Sequence, residues 1–356
     1  MSYIDLVTGL SHGANDKEVT RTRTERNNMN KLVTLLIILT TLLFSLSCGK
    51  STQQSGKKLT IAVIPKGTTH EFWKSIHAGA DKAASEYQAQ GTNVEIIWKG
   101  PLREDERESQ IQVVEGFTSQ GVNGIVLAPL DDRALTRPVE EAKRAGIPTV
   151  IIDSALQSDQ IVSFVATDNL KGGTLAADRL GVLLGGKGKV LMLRYQEGSA
   201  STEQREAGFM QEIKAKYPGI EVVSSNQFAG PTRDTAKAAS ENLLNRFGND
   251  IQGVFTPNES STIGMLLALQ DMKLAGKVAF VGFDSSPVFT EAMRNKQMQG
   301  TVLQSPFNMG YLGVKTMVDS LLGKAVEKRI DTGVALVTPD NLDDPKIKEL
   351  LQPPVK

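Results

Sequence analysis

Residues able to grip a polyhydroxylated ligand recur along this chain at the ends of short apolar runs. "LTIAVI" is followed by Pro65, Lys66 and Gly67, "GIVLAP" by Leu130, Asp131 and Asp132, and "PTVIID" ends in Asp153 and Ser154. Farther on, "KVLMLR" leads to Tyr195 and "EGSAS", "GVFTP" to Asn258 and Glu259, "VAFVGF" to Asp284, and "QGTVLQ" ends in Gln304. Carboxylates and carboxamides are planar groups with several hydrogen-bonding positions, and each can hold two vicinal hydroxyls at once. The segment "PKGTTHEFWKSI", Pro65 to Ile76, adds His70 and two aromatic rings, Phe72 and Trp73. Polar run ends with aromatics nearby describe a polyol site. The same Asp, Asn and Ser residues are common helix N-caps, and Thr68 with Glu71 fits the S/T-x-x-E capping box. Recurrence at so many run ends favours a shared site over isolated caps.

The elements that must position these residues alternate from Leu59 onward. Short β-branched runs ("LTIAVI", "NVEIIW", "GIVLAP", "PTVIID") are separated by stretches with apolar residues three and four apart, the helical spacing. In the first such stretch Phe72, Ile76, Ala80, Ala83 and Tyr87 form the apolar stripe, and Trp73 lies about 100° round from it. After "PTVIID" the rhythm breaks at "IVSFVATDN", and a second series follows, with helices expected over 201–217, 232–248, 259–274, 287–296 and 309–323. Alternating strands and helices make parallel sheets covered on both faces. The expected fold is therefore α/β, with two doubly wound parallel-sheet lobes and crossover segments near 163–168, 302–306 and 335–339. In such sheets ligands bind beyond the carboxyl ends of the strands, where the polar residues stand.

Composition removes several functions. Lys+Arg and Asp+Glu are both 40, so the chain of 356 residues has no basic excess to suit nucleic acid. One cysteine, Cys48, and three histidines at 12, 70 and 77 provide neither a disulfide framework nor a Cys-based zinc cluster; no metal and no cofactor is expected. "GVLLGGKG", Gly181 to Gly188, resembles a phosphate-binding loop, but Gly188 replaces the Ser/Thr that would meet Mg²⁺, and a helix precedes it where a strand is needed. The three Asp of "PDNLDDP" lack calcium-loop spacing. Near the start, Leu32 to Ser47 carry no charge after Lys31, the length of a signal-peptide apolar region rather than a membrane span. Residues 29–47 read as a signal peptide, Cys48 as the acceptor of a lipid anchor, and 48–58 as a polar tether. Residues 1–28 read as an extension outside the fold.

Six stretches in order carry a resemblance: "IAVIPKGTTHEFWKSIHAGADKAASE", "GVNGIVLAPLDDRALTRPVEEAKRAGIPTVIIDS", "VATDNLKGGTLAADRL", "GSASTEQREAGFMQEI", "GVFTPNESSTIGMLLAL" and "FVGFDSSPVFTEAM". From about residue 59 to 340 the chain resembles the type 1 periplasmic binding proteins, the ribose-binding-like receptors that feed sugar ABC transporters. The resemblance implies the periplasmic binding protein-like I fold, with lobe one at 59–167 plus 305–335, lobe two at 168–304 plus 336–352, and three crossover hinge strands. It implies a small sugar ligand, ABC transporter membrane subunits as partners, and a monomer that is periplasmic or on the cell surface and not an enzyme; the leader adds the lipid anchor at Cys48, with a plain secretory signal and an incidental Cys as the alternative. Carried over by position, polar contacts fall on Lys66, His70, Asp153, Arg205, Asn258, Asp284 and Gln304, with Phe72 and Trp73 sandwiching the sugar ring. A further contact from lobe two falls near Phe228 to Gly230. Two positions depart from the common pattern: Ser154 stands where Arg is frequent, and His70 where Asn is usual. Lys66 with Arg205 leaves open an acidic or phosphorylated ligand, and Asp153 with Asp284 leaves open a glycoside hydrolase pair. A lactose-repressor-type regulator of the same fold would need a basic helix-turn-helix where the apolar leader lies.

Overall fold

Among the described residues, twelve short strands gather into two six-stranded sheets, each sandwiched between helices. The computed structural model describes residues 58–351, all within the unit 56–356; the leader, Cys48 and the tether up to residue 57 lie outside the described residues. The first sheet holds β1 (Leu59–Ile64), β2 (Val94–Trp98), β3 (Gly124–Leu127), β4 (Thr149–Ile152), β5 (Ser163–Ala166) and β11 (Arg329–Asp331), in the order β11-β5-β4-β3-β1-β2, all parallel. The second holds β6 (Lys187–Met192), β7 (Gly219–Ser224), β8 (Gly253–Phe255), β9 (Ala279–Phe283), β10 (Gly300–Leu303) and β12 (Ala335–Val337), in the order β12-β10-β9-β8-β6-β7. Only the edge pair β10–β12 is antiparallel there.

The apolar runs are continuous because both faces of each sheet are buried. Along β1, Ile61 and Val63 enter one core and Ala62 and Ile64 the other. The first core is closed by α1 (Glu71–Ala89) and α9 (Pro306–Leu321), the second by α2 (Arg107–Gln120) and α3 (Thr136–Arg144). In the second lobe, α4 (Asn169–Leu183) and α5 (Ala200–Lys216) cover one face. The other is covered by α6 (Arg233–Phe247), α7 (Glu259–Asp271), α8 (Pro287–Arg294) and the short α10 (Pro345–Leu351). "GVLLGGKG" closes α4 and opens β6, with Gly185 and Gly186 left-handed at φ 61° and 75°. Among the described residues no helix is long and apolar enough to cross a membrane.

The chain passes between the sheets at 167–168, at 304–305 and at 332–334. The third passage lies earlier than the expected 335–339, because Ala335–Val337 already forms β12, with Ala335 opposite Leu303. A three-residue strand has too little periodicity to be seen in sequence. The first and third passages are fastened to one another. Arg329 donates to the carbonyls of Ala166 and Thr167 at 2.7 and 3.1 Å, and the Thr167 hydroxyl donates to the Gly333 carbonyl at 3.1 Å.

Helices α1 and α9 touch backbone to backbone. A β-carbon at Gly79 would overlap the Phe307 carbonyl, and one at Gly310 the Ile76 carbonyl. Gly310→Ala is therefore expected to force the pair apart and to cost about 1–3 kcal/mol, the usual penalty of overpacking. Urea unfolding checks this: an unchanged midpoint would show that the two helices can separate freely.

Candidate functional site

The carboxyl ends of both sheets face one cleft, and two aspartates are placed there by the same device. Asp153 follows β4 and Asp284 follows β9; both have left-handed backbone, φ 61° and 70°. Asp is one of the few residues that tolerates this region. Each donates its N–H to the neighbouring strand, Asp153 to Val165 at 3.1 Å and Asp284 to Val302 at 2.8 Å. The Ser154 N–H returns to the Ile152 carbonyl at 2.6 Å, closing a γ-turn around Asp153.

Lys66, after β1, is 3% exposed, and its ammonium is fully engaged. Nζ lies 3.0 Å from Asp153 Oδ2 and donates to Ser199 Oγ and Ser201 Oγ at 3.3 and 3.1 Å. Arg205, on α5, donates from Nε to Asn169 Oδ1 at 2.8 Å and from Nη1 to the Pro257 carbonyl at 2.9 Å. Its guanidinium lies 4.0 Å from the centre of the Phe283 ring. Its Nη2 is buried with no hydrogen-bond partner. Gln304 donates from Nε2 to Asp284 Oδ1 at 2.7 Å, and its Oε1 is likewise buried and unpartnered. Asp284 Oδ2 accepts the Glu259 N–H at 2.9 Å. Burial pushes Asp284 up to about 6, against the pull of Arg205 and Gln304. Asn258 caps α7 through Oδ1 and donates from Nδ2 to Ser260 Oγ at 3.1 Å while lining the cleft. Cap and contact are thus compatible at this residue.

His70 is the N-cap residue of α1, without a side-chain cap. Its Nδ1 lies 2.7 Å from Glu104 Oε1. The Thr68–Glu71 capping box is not formed, since the helix begins at Glu71, whose carboxylate instead meets Lys74 at 2.8 Å. Trp73 corrects the stripe. It is 3% exposed and packs with Ile76, Ala80, Ala83, Ala84 and Tyr87, while Phe72 sits half-buried at the margin. The two rings stand 5.0 Å apart at 89°. Perpendicular neighbours cannot lie on opposite faces of one sugar ring, so the expected sandwich by this pair is not available. The Trp73 indole also donates to Glu104 Oε1 at 2.7 Å.

Of the expected residues, Lys66, His70, Phe72, Trp73, Asp153, Arg205, Asn258, Asp284 and Gln304 come together around the cleft. Ser154 does not: its Oγ accepts the Ser201 N–H at 3.0 Å inside the lobe contact. Phe228 does not either; it lies beside Arg194, with the guanidinium 4.5 Å from its ring centre. Glu104, Tyr195, Ser199, Ser201, Thr202 and Glu259 also line the cleft. Tyr195 and Glu259 stand at strand ends and were legible as polar candidates. Glu104 lies in "GPLREDER", which reads as a solvated charged loop, and no sequence signal separates it from its neighbours. It is 6% exposed, and its Oε2 accepts the Tyr195 hydroxyl at 2.6 Å. Burial disfavours the charged His70 ring, but Glu104, with help from Glu259, outweighs it and holds His70 at about 9. Burial likewise opposes the Glu104 carboxylate, and His70, Lys66 and Tyr195 together bring it down to about 2.

Several of these bonds join the lobes: Lys66 to Ser199 and Ser201, Tyr195 to Glu104, Ser201 to Ser154, and the Phe72 N–H to Glu259 Oε2 at 3.3 Å. The enclosed void between them is about 30 Å³.

With this geometry in view, the relatives are informative. The family described as "Periplasmic binding protein domain" matches residues 61–325. The ribose import binding protein of Bacillus subtilis is 30% identical over 283 residues, 79% of this chain and 88% of that protein. The D-allose-binding periplasmic protein of Escherichia coli is 31% identical over 270 residues, 73% of this chain and 83% of that one. A carbohydrate transporter solute binding protein from Agrobacterium radiobacter, solved with D-arabinose, superposes with a TM-score of 0.78 at 34% identity, covering 83% of this chain and 99% of its own. The chain belongs to the periplasmic binding protein family, type 1. Its relatives there are sugar-binding proteins of ABC transporters.

Lys66→Met leaves Asp153 buried without its cation, and breaking a buried pair from one side costs about 3–5 kcal/mol. Chemical denaturation at neutral pH is expected to show that loss, with Asp153→Asn added to Lys66→Met recovering part of it. A double variant no more stable than the single one would rule out the pair as its source.

Proposed function

We propose that this protein is an extracytoplasmic solute-binding lipoprotein, anchored through Cys48, that closes its two lobes on a small neutral sugar and presents it to an ABC transporter. One observation carries the reading: a buried donor, Arg205 Nη2, and a buried acceptor, Gln304 Oε1, line the same cleft and lack partners. Buried polar groups are normally hydrogen-bonded, and a hydroxyl, being both donor and acceptor, satisfies either. The charge balance supports neutrality. Lys66 faces Asp153, His70 faces Glu104, Arg233 pairs with Glu259 at 2.9 Å, and Arg205 feels Asp284 most strongly. Around the cleft the four carboxylates Glu104, Asp153, Glu259 and Asp284 outnumber the cationic groups Lys66, His70 and Arg205, which argues against the acidic-sugar alternative. The hydrolase alternative is opposed by hydrogen bonding: Asp153 is tied to Lys66, and both Asp284 oxygens, although that carboxyl's pKa is raised, already accept from Gln304 and the Glu259 N–H.

Binding from both lobes selects the closed form, and closure is what a membrane partner can read. Calorimetry against ribose, allose, arabinose, fucose and their anionic derivatives tests the proposal. A neutral sugar is expected to bind with affinity nearly independent of salt. Arg205→Ala and Asp284→Ala are each expected to weaken it at least about tenfold, since a hydrogen bond to a charged group contributes about 1.5–3 kcal/mol. Preference for an anionic analogue, or unchanged affinity in both variants, would overturn this assignment.

A further inference from the structure

Glu104 is a buried carboxylate whose hydrogen-bonding positions are already occupied by the protein. Oε1 meets His70 Nδ1 and Trp73 Nε1, both at 2.7 Å, and Oε2 accepts the Tyr195 hydroxyl at 2.6 Å. Its backbone carbonyl accepts Gln196 Nε2 at 2.8 Å. Three donors on one carboxylate leave little capacity for a ligand hydroxyl. His70 and Trp73 come from the first lobe, Tyr195 and Gln196 from the second. Glu104 therefore joins two things: the state of the His70 ring and the closure of the cleft.

The His70 ring lines the cleft with Nδ1 engaged by Glu104. A neutral imidazole offers one donor and one acceptor, whereas an imidazolium can only donate. We propose, building on the sugar-binding reading, that Glu104 is the positioning residue of this site, holding His70 as a donor-only imidazolium and coupling that state to lobe closure through Tyr195. The ligand group beside His70 must then be an acceptor, such as a hydroxyl or ring oxygen, and an amino group at that place is rejected. An Asn at the same position could turn to donate or to accept and would not impose this choice. The charged groups acting on the ring are Glu104 and Glu259, which favour its charge, and Arg233, which opposes it.

The sign of the pH dependence follows. With the native ring raised from 6.5 to about 9, the stabilisation from the pair is fully present below pH 6.5 and is lost as pH rises through about 9. At the acid end, with Glu104 lowered from 4.5 to about 2, it is lost as pH falls through about 2.

The test uses ring ¹H–¹⁵N correlation spectra of the full chain without ligand, with His70 assigned by its loss in His70→Gln. The wild-type ring is expected to stay doubly protonated through pH 8. In Glu104→Gln it is expected to titrate at or below the ordinary value of about 6.5, and affinity for the sugar found by calorimetry should then fall several-fold between pH 6 and 8 relative to the wild type, whose own change over that range reports Asp284. Tyr195→Phe keeps the ring packed and removes only the bond across the cleft. It is expected to leave the His70 titration in place, raise the ligand off-rate about three- to tenfold, and keep the ranking of sugars. A wild-type ring that is neutral at pH 7, a Glu104→Gln titration like wild type, or a Tyr195→Phe off-rate like wild type would each overturn the inference. Absence of any sugar binding would sink the proposed function and leave the ring titration readable; sugar binding beside a neutral His70 would sink the inference alone.

Discussion

Charge removed from water must be met by charge, and this cleft removes seven ionisable side chains at once. Lys66, His70, Glu104, Asp153, Arg205, Glu259 and Asp284 are none of them more than 8% exposed. An isolated buried ion costs several kcal/mol, and the attraction of a partner offsets that only with good geometry and further hydrogen bonds. The architecture satisfies this requirement by drawing opposite charges from different elements. Lys66 follows β1 and Asp153 follows β4, His70 comes from the start of α1 and Glu104 from the loop before α2, Glu259 from α7 and Arg233 from α6. Each pair is thus a tertiary contact that exists only if the sheet order is correct.

The same need for partners ties the site to the motion of the lobes. Some charged groups complete their hydrogen bonds across the cleft, as Lys66 does with Ser199 and Ser201 and Glu104 with Tyr195. If the lobes part as proposed, water would replace these lost partners, and closing would demand the partners back. On the proposed reading, open and closed states would be two solutions to one electrostatic problem, joined through crossovers of which the first and third are hydrogen-bonded to each other.

Much of this was legible in sequence because parallel sheets buried on both faces write themselves as continuous apolar runs, and the residues just past those runs are the ones facing the cleft. Lys66, Asp153, Asn258, Asp284 and Gln304 were found that way. The helix expected over 309–323 starts at Pro306, a residue suited to the first helical turn. What escaped depends on contacts between elements distant in sequence. Glu104 sits among exposed charges and differs from them only in what folds over it. Spacing puts Trp73 off the apolar stripe of α1 and Phe72 on it, but Trp73, three residues before Ile76, is the one that joins the core, while Phe72 stays at its margin. Ser154 is adjacent to a cleft residue, yet the γ-turn at Asp153 sends its hydroxyl to the Ser201 N–H.

The second lobe repeats the glycine contact of the first: a β-carbon at Gly173 would overlap the Arg205 carbonyl, and one at Gly208 the Leu170 carbonyl. Helices seated on each other's backbone have no layer of side chains between them on which to slide, so shear within a lobe is blocked. On the proposed reading, flexing would be left to the crossovers, and each lobe's outer surface would keep its shape. To anything touching both lobes, the molecule then presents one variable, the angle between two unchanging surfaces. Events inside the cleft reach the outside only by altering that angle.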